Sequence, residues 1–371
     1  MNRSRARTLL LIAVALCACT QQQQNTENRP SPLAASPSVS ALASTARFEV
    51  QEIAKGLNLP LALQFAPDGR IFFAEAKAGA VRVIGADGVL LAEPVAEFDA
   101  STTGEFGVVG LALDPQFAQN HRLFVYYTVR KPDGGAESNR IVSLVESGGK
   151  AEGQTTVFDA IPGSQDKHVA GRMAFGPDGM LYVGVGDTQR PELAQDPSSP
   201  VGKILRLSPD GQVPPDNPFP GSSAYAVGFR NPFGLAFDEL TGKLFAVENG
   251  PATFDEVNLI TAGGNYGHPD SFGPSGGKFI DPIWDSGNDS HGMSGIAVVR
   301  NSPLEGLNNR LLFCSFDDGV LHTLPISDDG TLGVDEPLTE AGCNLDVAVD
   351  PDGIVYLASG SSIFKLNPVY Q

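Results

Sequence analysis

Met173 to Asp187 reads MAFGPDGMLYVGVGD, an alternating apolar run, a Gly-Pro-Asp-Gly turn and a second run of aliphatic and aromatic residues. This is a β-hairpin written in full. Proline presets φ, aspartate bonds its own backbone two residues on, and glycine takes the left-handed conformation that closes the turn. The pattern recurs as LQFAPDGRIFFAE (Leu63 to Glu75), LALDPQFAQNHRLFVYYT (Leu111 to Thr128) and LAFDELTGKLFAVE (Leu235 to Glu248). It returns again as IAVVRNSPLEGLNNRLLFCS (Ile296 to Ser315) and VAVDPDGIVYLAS (Val347 to Ser359). Further short strands fall between copies, VRVIG at Val81 and KILRLS at Lys203, and amphipathic helical periodicity is nearly absent. Hairpins repeating at roughly fifty to sixty residues predict an all-β chain, a six-bladed β-propeller of four-stranded antiparallel blades. IFKLNP at Ile363 and FEVQEIA at Phe48 are the expected strand pair for ring closure. In such a ring the innermost strands face a central channel, and ligands sit on the loops at one mouth.

The 371 residues are 42% hydrophobic, enough for a substantial core, and 42 glycines and 28 prolines suit many short strands joined by tight turns. A formal charge of −18 argues against nucleic acid or anionic membrane as a partner and suits a neutral ligand or a cation. Arg3, Arg5 and Arg7 precede an apolar run, Leu9 to Ala18, too short for a membrane span. The run ends in Leu-Cys-Ala-Cys, similar to a lipoprotein signal with Cys19 as the lipidated residue, so residues 1–18 are expected to be a signal peptide. An ordinary signal peptide cut nearby is the alternative, and export follows from either. The Gln-, Ser- and Pro-rich segment 19–46 is expected to be a disordered tether, with the propeller occupying 47–371. The mature chain then keeps Cys314 and Cys343, which suit either a disulfide or two separate buried thiols.

Three loop clusters carry chemistry. His168, in HVAGR before the third inner strand, is a candidate general base, its neighbour Arg172 favouring the neutral form; a structurally satisfied histidine is the alternative. Arg230 and Asn231 precede the fourth inner strand, where a guanidinium can stabilise an oxyanion or form an inter-blade ion pair. Gly250 and Pro251, with Asp255, Glu256 and Asn258 nearby, offer the hard oxygen ligands that calcium prefers. No Gly-x-Ser-x-Gly elbow, His-Glu-x-x-His, Cys-x-x-Cys or dinucleotide fingerprint is present.

GVVGLALDPQF, HVAGRMAFGPDGMLYVGVGD, AQDPSSPVGKILRLSPDGQVPPDNPF, GFRNPFGLAFD, ENGPATFDEVNLI and GGNYGHP, in this order, resemble the soluble quinoprotein glucose/sorbosone dehydrogenase family, aldose sugar dehydrogenases included. The resemblance runs from about Gly56 to Leu366. It implies a six-bladed propeller that uses pyrroloquinoline quinone (PQQ) and Ca²⁺ to oxidise the C1 hydroxyl of an aldose to a lactone. His168 matches the catalytic base and Arg230 the arginine beside the reacting quinone carbonyl. Asn231, Asn249 and Asp255 match residues of the cofactor pocket, and the carbonyls of Gly250 and Pro251 match ligands of the calcium. The implied substrate is a small sugar, with an unknown electron acceptor, in a periplasmic or outer-membrane-anchored protein that touches membrane only through its lipid.

The opposite wall departs from the family pattern. LLFCSFDDG puts Asp317 where the family carries a lysine, and CNLDV puts Cys343 and Leu345 where it carries two arginines. Three cations that would hold the carboxylates of PQQ are thereby lost, and a Cys314–Cys343 disulfide could close that pocket. Two other function classes stay open: a cofactor-divergent, non-catalytic propeller binding a carbohydrate or other ligand, and a calcium-dependent lactone hydrolase.

Overall fold

The computed structural model describes residues 48–339 and 342–369. The expected signal peptide and tether, and Cys19 with them, lie outside the described residues. Six antiparallel sheets form the blades. Their inner strands are Pro60–Phe65, Val108–Leu113, Ala170–Phe175, Pro232–Phe237, Met293–Val299 and Asp346–Val349, here numbered blades 1 to 6. Each inner strand packs on the inner strand of the next blade, and that of blade 6 packs on that of blade 1, so the ring is closed. Five sheets have four strands; blade 5 has three, with an isolated bridge from Leu321 to Leu338 at its outer edge.

The closure predicted from sequence is present. Phe48–Lys55 pairs with Ser362–Pro368, from Phe48 opposite Pro368 to Lys55 opposite Ser362, so the first described strand completes the last blade. The Pro-Asp-Gly turns form as read: Gly69, Gly179 and Gly353 have φ of 84°, 73° and 77°. Asp68 and Asp178 accept the amides of Arg70 and Met180, two residues on.

The inner strands approach one another too closely for side chains at several points. A Cβ on Gly110 would meet the Gly171 carbonyl oxygen of blade 3, and one on Gly234 would fall 2.5 Å from the Ser294 carbonyl oxygen of blade 5. In blades 1 to 5 the register between inner and second strands shifts near the start of the inner strand. Such bulges bend a strand and re-aim its side chains, and here they fall at the end that carries the predicted loops. Between blades the faces are apolar: Phe72, Phe73, Phe124, Leu205 and Val183 are buried in one cluster spanning the first three blades, and Phe245, Phe313 and Leu311 join blades 4 and 5.

Cys314, in the second strand of blade 5, is bonded to Cys343 on the approach to blade 6, with a Cα separation of 5.1 Å and both residues fully buried. The bridge closes a loop with a sequence separation of 29, which predicts about 2–4 kcal/mol of stabilisation. Denaturant melts of Cys314→Ser, and of the native chain in reductant, should differ from that of the oxidised chain by that amount. Coincident curves would show that the bridge contributes nothing.

Candidate active site

Two cavities open along the channel. The larger, about 510 Å³, is lined by Gln64, Arg172, Glu239 and Asp350 among others and contains none of the predicted site residues. The smaller, about 270 Å³, is lined at the starts of the inner strands by Leu61, Lys77, Glu105, Asn231, Asn249, Phe316 and Leu345 among others. Of the predicted site residues, Asn231 and Asn249 line the smaller one, while His168, Arg230 and Asp255 stand behind it, bonded to its lining residues Glu105, Asn249 and Gly292.

His168 is 8% exposed and sits at φ 61°, a left-handed conformation that a non-glycine residue adopts only when its surroundings fix it. Its amide donates to Glu105 Oε2 (2.6 Å), its carbonyl accepts from Thr188, and a Cβ on Gly186 would collide with it. Its Nδ1 lies 2.8 Å from Asp187 Oδ1, while its Nε2 is buried without a partner. Asp187 Oδ2 lies 2.9 Å from His268 Nε2, so one carboxylate bridges two imidazoles. Burial pushes the Asp187 carboxyl upward, but the hydrogen bonds from His168 and His268 outweigh it and hold the group well below the usual carboxylate range. The anion therefore persists at neutral pH, and in a neutral imidazole it selects the tautomer with the proton on Nδ1 and the lone pair on Nε2. The electrostatic partner of His168 is thus Asp187; Arg172 points into the channel, where it pairs with Asp346 (3.2 Å).

Arg230 and Asn231 are fixed by a second carboxylate. Glu248 Oε1 accepts both amides, at 2.6 and 2.9 Å, and Asn231 Oδ1 accepts the Ala170 amide, tying blade 4 to the His168 loop. Burial pushes the Glu248 carboxyl well above its ordinary value, with buried Glu256 opposite it on the next strand adding to the shift. The Arg230 guanidinium donates to the Asn249 carbonyl (2.8 Å), and its own carbonyl accepts from the Asp187 amide (2.7 Å). Asn249 donates to the Met293 carbonyl, and its Oδ1 is buried without a partner.

Asp255 is buried and its oxygens are committed to the chain. Oδ1 accepts from the Gly250 amide (2.8 Å), and Oδ2 from the amides of His291 (2.6 Å) and Gly292 (2.9 Å) and the Ser290 hydroxyl. It shapes the Gly250–Pro251 turn and the wall at Gly292. Asn258 bonds Glu256, and Glu256 also accepts the Gly273 amide, so this pair braces the loop behind the turn. Across the cavity, Leu345 and Phe316 present apolar surface and Asp317 is exposed. The one lysine of the lining, Lys77, donates to the carbonyls of Gly104 and Phe106, and burial lowers its pKa.

Sequence reasoning missed Asp187, Glu248, Glu105 and Lys77. Glu75, Asp187 and Glu248 all stand at or just beyond the end of a second strand, and Glu75 accepts the Asn58 amide as Glu248 accepts that of Arg230. An acid recurring at that point of the hairpin motif was the available signal.

A closed six-bladed ring with a carboxylate-bridged histidine at one mouth defines a class of propeller proteins whose site is built from interblade loops. The Glucose / Sorbosone dehydrogenase family model matches residues 57–363, and the chain belongs to that family. It is 28% identical over 353 residues to an aldose sugar dehydrogenase of Escherichia coli, covering 88% of this chain and 94% of that protein. It is 33% identical over 268 residues to quinoprotein glucose dehydrogenase B of Acinetobacter calcoaceticus, covering 64% of this chain and 56% of that enzyme's length. The PQQ-bound aldose sugar dehydrogenase of Streptomyces coelicolor superposes with a TM-score of 0.76 at 33% identity, over 87% of this chain and 98% of that one.

Proposed function

We propose that this protein is an exported PQQ- and calcium-dependent aldose sugar dehydrogenase that oxidises the C1 hydroxyl of a sugar to a lactone. The observation that carries this reading is the buried, unpartnered Nε2 of His168 held by Asp187 beside Arg230. Its relatives include enzymes named for that activity and a PQQ-bound structure. The basic and apolar residues before Cys19 support export and lipid anchoring.

The reacting half of the pocket suits such a group. Asn249 Oδ1 and His168 Nε2 are buried polar atoms without partners, and the carbonyls of Gly250 and Pro251 are the hard ligands a calcium ion takes. Arg230, Asn231, Asn249 and Lys77 would hold the cofactor, with Asp255 shaping the calcium turn. When bound, the quinone supplies the two-electron oxidant that takes hydride from the sugar carbon. The chain supplies the rest. His168 Nε2 accepts the hydroxyl proton, Asp187 stabilises the imidazolium that forms, and Arg230 places positive charge where negative charge grows.

The far wall suits the cofactor's carboxylates less well, since Leu345, Asp317 and Cys343 remove three cations. PQQ binding is therefore expected to be weak, and Leu345→Arg to strengthen it. One charge-assisted bond of about 1.5–3 kcal/mol corresponds to about ten- to a hundredfold in affinity. Titrating PQQ into both proteins with calcium present, read by the cofactor's absorbance, tests this; equal affinities would place its carboxylates elsewhere. That same apolar wall favours a second reading, a ligand-binding propeller without the quinone. Dye reduction across a panel of aldoses after loading with PQQ and calcium separates the two: turnover supports the dehydrogenase, and sugar binding without turnover or cofactor uptake supports the binding protein. Lactone hydrolysis without quinone would replace both.

A further inference from the structure

A second chemical cluster lies on blade 5, outside the machinery just described. His291 and Asp318, from the loops at the ends of its strands, converge with His322, and one ligand atom from each lies within 4.8 Å of the others. His322 is 5% exposed, with Nδ1 held 2.6 Å from Asp335 Oδ2. Its Nε2 is buried with no hydrogen-bond partner. An imidazole whose one nitrogen is fixed by a carboxylate and whose other is left open has the orientation and basicity of a metal ligand.

Aromatic packing fixes the positions of the two rings. The His322 ring stacks on Phe313 at 4.5 Å, and Trp284 packs against both Phe313 and His291. The two imidazole rings are 4.7 Å apart, so both lie within reach of one ion. Asp318 is exposed, and its Oδ1 accepts the Val320 amide. Asp255, whose Oδ2 accepts the His291 amide, faces the cluster from blade 4.

We propose that His291, His322 and Asp318 form a site for a borderline divalent transition ion, zinc in particular, with Asp335 as the carboxylate that orients His322. Two nitrogens and one carboxylate oxygen make a zinc-type donor set, whereas calcium takes oxygens alone. The exposed side of Asp318 leaves a coordination position open to solvent. The ion would also pin the pocket wall. The His291 carbonyl accepts the Asp317 amide and the Ser315 hydroxyl, and the Gly292 carbonyl accepts the amide of Phe316, which lines the smaller cavity.

The test loads the purified, chelator-stripped full chain with Zn²⁺ in excess calcium, which fills all-oxygen sites, and measures the metal retained after desalting. Co²⁺ loading reports the geometry through its visible bands. The site predicts one equivalent of zinc that calcium does not displace, weakened at least tenfold in His291→Ala and in Asp318→Ala. Both substitutions are at residues that are not fully buried, and circular dichroism verifies that the variants fold. Asp335→Asn should weaken binding about ten- to a hundredfold. His322→Phe, which keeps the stack on Phe313, should abolish it. Zinc uptake equal in wild type and in the His291 and Asp318 variants, no uptake, or displacement by calcium would each overturn the assignment.

Discussion

His168→Gln is expected to lower kcat for aldose oxidation about 10²- to 10⁴-fold, the usual contribution of a positioned general base. Glutamine keeps much of the volume and a hydrogen bond to Asp187 but offers no nitrogen able to take a proton. PQQ affinity should change little, because the base acts on the sugar hydroxyl, so the loss falls on kcat rather than on cofactor binding. Asp187→Asn tests the bridge. Its amide can no longer stabilise an imidazolium on His168 or share an anion with His268, so activity should fall while the protein still folds. Asp187 has a folded pKa depressed below its unfolded value of 3.8, so the stability it contributes is present above that value. That contribution is lost as pH falls through the lower folded value. A pH dependence of the rate near neutrality therefore does not come from protonating Asp187. Activity of His168→Gln within a few fold of wild type would move the base elsewhere.

How much of this site was legible in sequence follows from where its partners lie. The hairpins, the closing pair of Phe48 and Pro368, and the gathering of His168, Arg230 and Asn249 at one mouth were readable because each rests on local turn chemistry repeated around a ring. The roles of Arg172 and Asp187 were not. Arg172 stands four residues from His168, yet its charge is used on Asp346 in blade 6, and His268 reaches Asp187 from 81 residues away. Periodicity places a residue on a strand but does not say which neighbouring blade will meet its side chain. The disulfide was open for the same reason: two cysteines in chain order do not reveal that blades 5 and 6 bring their Cα atoms to 5.1 Å. The departure at Asp317, Cys343 and Leu345 was visible, but only geometry gives its consequence, a wall of Leu345 and Phe316 beside an exposed Asp317.

Asp346→Ala is expected to destabilise the fold by about 3–5 kcal/mol, the cost of removing one partner of a buried ion pair. Asp346 Oδ1 holds Arg172 across the channel, and Oδ2 accepts the Leu63 amide of blade 1 at 2.8 Å. One carboxylate therefore joins blades 1, 3 and 6 where the ring closes. Its removal strands a buried guanidinium, which keeps, among the described residues, the Leu345 carbonyl and the face of Phe233. It also orphans a buried amide. Arg172→Leu in the Asp346→Ala background should recover much of the loss, because the stranded charge goes with the arginine and an apolar side chain suits a channel lined by Leu63, Leu111 and Ile296. Urea melts of the two single variants and the double variant measure this coupling. Additive losses would mean that solvent in the channel already screens the pair, and a double variant more stable than Asp346→Ala would locate the penalty in the unpaired charge. The Leu63 amide stays unpaired in both backgrounds, so part of the loss should persist in the double variant, and that residue measures what the carboxylate contributes to ring closure apart from the ion pair.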